Sequence, residues 1–518
     1  MKYQVLIPCA GTGSRLKDET RYLNKSLIHI ENKPIISHII DKFPKDCEFI
    51  IPVGYRGDDL VDYLNIAYED RNFIFEHIEP YEGEGSSLGY TLSKVIDKIN
   101  GPFVFISCDT LVSENIPDPT SNWIGYSNTA DSSDYRTLDV NGLKAIKLNE
   151  KLESKSKKAY IGLAGIKDYD EFVNLCKSNK KQFYNKGESY PLSEMIDNFD
   201  ALQFEWFDTG SIPGLNLTRK TYLKNNLHKH NILEKVEEKI WFVNNKVIKF
   251  SNDKEFIKNR IDRSNFLKNF VPKIIDQKKN MYSYKYIEGE VISNNINPKI
   301  FDELLKLLEG FWVPKNLSEK EYKDFTYSCH EFYKDKTFQR LEMFFNMYPY
   351  SNKTVNLNGN QIENPFDSLD KINWQKLSEG IATTFHGDLH FENILYDNEK
   401  FTFLDWRQNF NGLLDYGDIY YDLSKMLHGI LLPHPVVTSG SYSILESEND
   451  VNIQIELSSN YREIYKLYID WLEEKKYDTK KVHILCALIY LNIAPLHHHP
   501  YSRFLFYYGL DLLNRYVE

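Results

Sequence analysis

From residue 3 to residue 107, short apolar runs alternate with helix-period stretches. The runs are YQVLIP (3–8), CEFIIPV (47–53), FIFEHI (73–78) and PFVFIS (102–107), and the periodic stretches lie between them at 35–43, 60–67 and 87–99. Strands separated by helices in this way pair side by side through helical crossovers, which predicts an α/β fold on a mostly parallel sheet. Ligands of such sheets sit beyond the carboxyl ends of the strands. The residues that follow each run are therefore the ones to read for chemistry.

A chain of 518 residues is long enough for roughly two to four domains, each with its own core. Its 42% hydrophobic, 26% charged and 14% aromatic content is that of a globular protein and excludes extensive disorder. With 63 Lys and Arg against 74 Asp and Glu, the formal net charge of −11 argues against a nucleic-acid-coating protein. Phosphorylated substrates must then be held by local positive groups. Cys9, Cys47, Cys108, Cys176, Cys329 and Cys486 show no CxxC pair and no metal-ligand spacing, and read as reduced thiols of a cytoplasmic protein. No secretion signal or membrane span is expected, since the most apolar later stretch, 482–496, is interrupted by Asn492 and Pro495. The polar, highly charged stretch 219–239 predicts a boundary between domains at 1–225 and 226–518.

PCAGTGSRL (8–16) directly follows the first strand. Gly11, Thr12, Gly13 and Ser14 make a turn whose N–H groups can face a triphosphate, and Arg15 adds positive charge. The loop has neither the GxxxxGK[ST] nor the full GxGxxG form, and alone it reads equally as a structural turn. NKSLIHIENKPIISHII (24–40) then sets Lys25 after the loop and opens a helix at the next Lys-Pro.

With these segments in order, residues 1–220 resemble the sugar-1-phosphate and phosphocholine nucleotidyltransferases, whose loop reads GGxGxRL. Ala10 and Asn24 stand where that family has glycine and proline. The resemblance implies a Rossmann-like, GT-A-like nucleotidyltransferase domain in which Arg15 and Lys25 are catalytic. It places Gly85 of EGEGSSLGYTL (82–92) at the base, and Glu150 and Lys151 of NEKLES (149–154) at the substrate. It makes Asp109 of FISCDTLV (105–112) and Asp208 of WFDTGSIPGLNLTR (206–219) ligands of Mg2+, a cation that prefers oxygen donors and shares them with phosphates. The chemistry implied is in-line attack of a phosphomonoester oxygen on the α-phosphate of an NTP, CTP or UTP, with release of pyrophosphate.

In the second half, KIWFVNNKVIKF (239–250) predicts a hairpin around Asn244-Asn245, then a helix over 252–270; beyond 296 the pattern is mainly helical. TTFHGDLHFENILYD (383–397) and FTFLDWR (401–407) set Asp388 five residues before Asn393, and Asp405 after an apolar strand. This is the spacing of a kinase catalytic loop and its metal aspartate. Its HGDLHxxN form resembles the aminoglycoside phosphotransferase and choline kinase family over about residues 230–518.

That resemblance implies a bilobal, protein-kinase-like phosphotransferase domain, with a small lobe at about 230–290 and a helical large lobe at about 291–518. It assigns Asp388 to deprotonating a substrate hydroxyl, Asn393 and Asp405 to Mg2+, Lys249 to the ATP phosphates, and Tyr286 and Glu288 to the adenine. Glu255 and Asp262 follow Lys249, neither at a spacing that matches the lysine's usual glutamate partner. Asp415 and Asp418 read as helix caps as readily as site residues. HHHP (497–500) cannot turn three successive imidazoles onto one ion, so zinc is not expected. Trp312, Trp406, Tyr416, Tyr420 and Tyr421 could cage the cation of a choline-type acceptor, although such rings more often pack a core.

Jointly these readings give the expectation of a bifunctional enzyme. The kinase phosphorylates a small sugar, polyol or amino alcohol with ATP, and the nucleotidyltransferase couples the product to an NTP, making an activated building block for surface polysaccharide. The alternatives are a choline-type kinase joined to a CTP:phosphocholine-type cytidylyltransferase, or an inactive half retained for binding. Nucleotides, the acceptor and its phosphate are the expected partners, without nucleic acid or membrane insertion, and an oligomer is left open.

Overall fold

The computed structural model describes residues 3–225 and 236–517. The boundary drawn within 219–239 falls in part on 226–235, outside the described residues. The chain divides into two compact units, one of residues 1–254 with 275–286, the other of residues 255–274 with 287–518.

In the first unit the apolar runs become β1 (Gln4–Leu6), β2 (Glu48–Val53), β3 (Asn72–His77) and β4 (Phe103–Ile106). They pair in parallel, with Val5 opposite both Phe49 and Val104. β1 and β4 are buried along their whole length, as expected of parallel strands covered on both faces. Helix α1 (Gly57–Ala67) opens with Asp58 and Asp59 in its first turn and buries Leu60, Tyr63, Leu64 and Ala67, the three-to-four spacing of one apolar face.

The sheet continues through β5 (Trp123–Asn128), β6 (Thr137–Asn141), β7 (Lys144–Asn149), β8 (Lys158–Ile166) and β9 (Asp200–Gln203). The strand order is β3-β2-β1-β4-β8-β5-β9-β7-β6, and all but β7 and β8 run in one direction. After β4, Thr110–Val112 pairs antiparallel with Trp206–Asp208, and the register sets Asp208 opposite Thr110. That small ribbon brings together two segments about a hundred residues apart.

A second sheet follows, of β10 (Glu238–Val243), β11 (Lys246–Ser251), β12 (Ile274–Gln277) and β13 (Met281–Lys285), in the order β10-β11-β13-β12. Asn244 and Asn245 turn the expected hairpin with φ of 47° and 60°, the left-handed pair that matches strand twist and that Asn tolerates. This sheet is built into the core of the first unit. Trp241 packs edge-on against Tyr63 of α1 at 5.0 Å between ring centroids, and Ile248, Phe250 and Met281 join the cluster that holds Val5 and Phe49. At its rim the Asn244 side chain donates to the Ala67 carbonyl (2.8 Å), and the Phe242 N–H to the Asn32 carbonyl (2.8 Å).

The second unit is mainly helical. Its site-bearing helices are α2 (Lys254–Leu267), α3 (Lys336–Met347) and α4 (Ile419–Leu431), and its core runs along Thr479–Ile493, which is buried almost all round. Ile394–Asp397 and Lys400–Phe403 form a hairpin edged by Glu290–Val291. The mainly helical expectation beyond 296 leaves out one element, a sheet of Asn360–Ile362, Val355–Leu357, Asp450–Ile455 and Tyr442–Glu446. Among the described residues no helix is long and apolar enough to cross a membrane.

Candidate active sites

In the first unit the loop after β1 folds back on itself. Gly13 adopts φ of 67°, and a Cβ there would meet Thr20 at 2.9 Å and Lys25 at 3.0 Å, so the close approach needs glycine. Asn24 is buried and donates to the carbonyls of Cys9 (3.0 Å) and Tyr55 (2.7 Å), while its side-chain oxygen accepts from Ser26 N–H and caps the short turn that carries Lys25. The residue standing in place of the family's proline is thus what pins that turn.

Lys25 Nζ lies 2.9 Å from Asp109 Oδ2. Burial opposes the Lys25 charge, but the Asp109 carboxylate outweighs it and holds the ammonium above its usual range. Asp109 is likewise opposed by burial, yet Lys25 and Arg15 hold it below the carboxylate range. Gly210 marks where these groups meet. A Cβ on it would stand 2.9 Å from Asp109 Oδ2, 3.2 Å from Asp208 Oδ1 and 3.3 Å from Arg15 Nη2. Asp208 accepts from Gly210 N–H (2.9 Å), Ser211 Oγ (3.2 Å) and the Tyr135 hydroxyl (3.3 Å), and burial together with Asp208 pushes Tyr135 up to about 12. Two converging carboxylates suit Mg2+, which completes its shell with waters and substrate phosphates. Accordingly, no group of three or more His, Cys, Asp or Glu gathers to hold a metal unaided among the described residues.

Glu150 is ion-paired with Arg136 (2.9 Å) and Lys186 (3.8 Å), whereas Lys151 is exposed. Near Glu150 lies a carboxyl that the motifs do not mark. Glu188 is buried and, among the described residues, its Oε2 has no hydrogen-bond partner; burial raises it to about 7 against the pull of Arg136. Gly85 sits in open space with φ of 87°.

In the second unit Asn393 Nδ2 donates to the Asp388 carbonyl (2.9 Å) and to its carboxylate Oδ2 (3.2 Å), so the two predicted loop residues are joined directly. Lys425 of α4 reaches Asp388 Oδ1 at 2.9 Å, and His390 bridges towards Asp388 (3.7 Å) and Glu392 (2.8 Å). Burial works against Asp388 being charged, but Lys425 and His390 keep it well below the carboxylate range. His390, also opposed by burial, is raised to about 9 by Asp388 and Glu392.

The loop is clamped from behind by residues the motifs leave unmarked. Asp422 accepts from the N–H groups of His386 and Gly387 (2.7 Å each) and from Trp312 Nε1 (3.1 Å), though burial still lifts it to about 6. Arg263 of α2 is buried, donates to the Leu414 carbonyl (2.9 Å) and the carbonyls of Phe385 and Arg407, and covers the Phe385 ring at 3.8 Å. Asp405 pairs with Arg260 (3.1 Å) and holds φ of 56°, a strained value for aspartate. The neighbouring Leu404 N–H donates to the Asn393 carbonyl (2.7 Å), tying the two halves of the motif together. Asp418 caps α4 and Asp415 pairs with Lys315.

Lys249 is buried in β11, opposite Ile240 and Tyr282. The Tyr286 N–H donates to the Asn245 carbonyl (2.8 Å), and Glu288 is exposed. The five candidate cage aromatics are engaged in packing. Trp406 donates to the Arg260 carbonyl, Tyr421 lies edge-on to Phe332 (4.9 Å), Tyr416 packs on Phe325 (5.8 Å) and Tyr420 on Tyr477 (6.1 Å), while Trp312 serves Asp422.

Comparison with known proteins finds likenesses in both the N-terminal and the C-terminal part of the chain. Residues 270–437 match the phosphotransferase enzyme family (APH). The N-terminal region is similar to the bifunctional protein GlmU of Methanococcus maripaludis, 29% identical over 165 residues, 31% of this chain and 38% of that protein. It is also similar to the UTP–glucose-1-phosphate uridylyltransferase AglF of Haloferax volcanii, 24% identical over 117 residues, 22% of this chain and 46% of that one. The chain thus spans less than half the length of these relatives. Among solved structures, the CTP:phosphocholine cytidylyltransferase of Streptococcus pneumoniae aligns with 43% of this chain and 100% of its own, at 19% identity and a TM-score of 0.37. The N-terminal region thus resembles sugar-1-phosphate nucleotidyltransferases, and the C-terminal part contains a match to a phosphotransferase family.

Proposed function

We propose that the second unit phosphorylates a hydroxyl of a small sugar, polyol or amino alcohol with ATP, and that the first unit couples the resulting phosphomonoester to CTP or UTP. The observation that carries this reading is that each unit brings polar and charged groups from separate segments of the chain onto one point. Arg15, Asp109 and Asp208 meet at Gly210, and Asp388, Asn393 and Lys425 meet at the loop clamped by Asp422. In the transferase reaction a phosphomonoester oxygen forms a bond to the α-phosphorus, the bond to the bridging oxygen breaks, and pyrophosphate leaves. Arg15 and Lys25 face the charge that develops on those oxygens. In the kinase reaction Asp388 takes the proton of the acceptor hydroxyl as its oxygen bonds to the γ-phosphorus and ADP departs. Mg2+ held by Asp109 and Asp208, or by Asn393 and Asp405, would neutralise phosphate charge. A cytoplasmic supply of nucleotide-activated units for surface polysaccharide fits this pair of reactions.

The test uses the full chain with separate detection of ADP and pyrophosphate. Asp388→Asn is expected to lower ADP formation by roughly 100-fold or more while pyrophosphate release from an NTP and a pre-phosphorylated acceptor persists. Asp109→Ala and Asp208→Ala should do the reverse. Undiminished ADP formation in the first variant, or undiminished pyrophosphate release in both of the others, would sink the corresponding half of the assignment.

A further inference from the structure

The groups around Asp388 carry more positive charge than the catalytic loop uses. A turn of π-helix, Glu331–Asp335, precedes α3 and presents Phe332, and such turns are frequent at functional sites. Two cations lie over that one ring, Lys336 Nζ at 4.3 Å from its centroid and the Arg407 guanidinium at 4.7 Å. Lys336 also lies 5.8 Å from the ring of Tyr421, which packs on Phe332 and stands one turn before Lys425 on the same face of α4. The group is therefore continuous with the Lys425–Asp388 pair. Burial, with Arg407, Lys425 and Arg340 close by, holds the Lys336 ammonium well below its usual range, and burial with Arg407 lowers Arg340 in turn.

Lys425 and His390 are matched by Asp388 and Glu392. Among the described residues, Lys336, Arg407 and Arg340 have no carboxylate at ion-pair distance. Half-buried cations crowded together without counter-ions are costly unless an anion joins them. Asp405, the candidate metal residue, has a cation of its own in Arg260. The unmatched charge thus lies against the group that receives the acceptor's proton.

We propose that the acceptor of the kinase reaction is an anion, a hydroxy compound whose carboxylate or phosphate group is held by Lys336 and Arg407, with Arg340 beside them. This deepens the reading above, narrowing its sugar, polyol or amino-alcohol acceptor to one that carries an acidic group, and rests on Asp388 as the base. The acceptor hydroxyl loses its proton to Asp388, its oxygen bonds to the γ-phosphorus of ATP, and the bond to the bridging oxygen breaks to release ADP. A choline-type cation meets repulsion at this place, and a neutral polyol leaves the charges uncompensated.

The experiment measures ADP release by the full chain on matched acceptors: glycerol, glycerate and glycerol 3-phosphate; glucose and gluconate; and choline. An anionic member is expected to exceed its neutral partner in kcat/KM by about tenfold or more, with choline inactive, and the glycerate and glycerol 3-phosphate arms separate carboxylate from phosphate. Lys336→Gln and Arg407→Gln should raise KM for the anion by about tenfold and leave KM for ATP within about twofold. Preference for a neutral or cationic acceptor, or a rise in KM for ATP alone, would overturn the proposal. Thermal stabilisation by glycerate and glycerol 3-phosphate, read in the presence of ADP and magnesium, gives a second measure that needs no turnover. Stabilisation by neither anion, or equal stabilisation of wild type and the Lys336→Gln, Arg407→Gln double variant, overturns it too. Failure of the base assignment reads differently: Asp388→Asn would keep its ADP release while anion stabilisation still depended on Lys336 and Arg407.

Discussion

Gly210 shows how small a margin separates the charged groups of the first unit. A methyl group there would press on a carboxylate oxygen at 2.9 Å and displace either the aspartates or Arg15. Gly210→Ala is expected to cut pyrophosphate release by about 10- to 100-fold with ADP formation unchanged, since displacements of about an ångström can cost that much. Glu188 gives a pH signature. Its folded value of about 7 lies above the ordinary 4.5, so the folded chain binds an extra proton between those values and loses stability as pH rises through that window, by an amount on the order of 3 kcal/mol. The fall in urea midpoint from pH 5 to pH 7.5 should therefore be smaller in Glu188→Gln than in the wild type. The candidate aspartates, Lys25 and Asn393 could be named from the sequence because each sits in a short motif with fixed spacing. Glu188, Arg263 and Asp422 could not, because what marks them is burial against groups far away in the chain, and no local pattern records that.

Helix α4 collects three separate duties within two turns. Asp418 caps it, Asp422 accepts from the N–H groups of His386 and Gly387, and Lys425 pairs with Asp388. Asp422→Ala would strand the N–H groups of His386, Gly387 and Trp312 inside the protein, at a cost of roughly 3 kcal/mol or more. The expected outcome is a lowered urea midpoint together with a loss of ADP formation, and Asp418→Asn should affect ADP formation far less. Elements with strong periodicity, such as Pro298–Phe311 and Ser459–Glu474, were legible as the mainly helical pattern beyond 296. The sheet made of Val355–Leu357, Asn360–Ile362, Tyr442–Glu446 and Asp450–Ile455 was not. Two of its strands are only three residues long, too short to display an alternation, and the strand that joins them to the rest lies some ninety residues further on.

At the scale of the molecule, the mostly parallel sheet and the two resemblances, to nucleotidyltransferases and to phosphotransferases, were visible from the chain, while the membership of the hairpin sheet was not. Its strands look like the opening of a kinase lobe, yet Trp241 sits wholly buried against Tyr63 in the core of the first unit. Trp241→Ala is expected to destabilise that unit by about 3–5 kcal/mol, the usual cost of emptying so large a buried site, read as a lowered unfolding midpoint and a loss of pyrophosphate release. The same arrangement sets an order in time during synthesis. The first unit is discontinuous, and its last strand, Met281–Lys285, follows a stretch of chain that belongs to the other unit. A ribosome that has just finished the loop after β1, Asp109, Asp208 and even Trp241 has not yet supplied the strand that closes this core. Until Lys285 has left the exit tunnel, the nascent chain carries an open apolar edge, and a message cut short anywhere before that point yields an unfinished product from the first gene segment as well as the second.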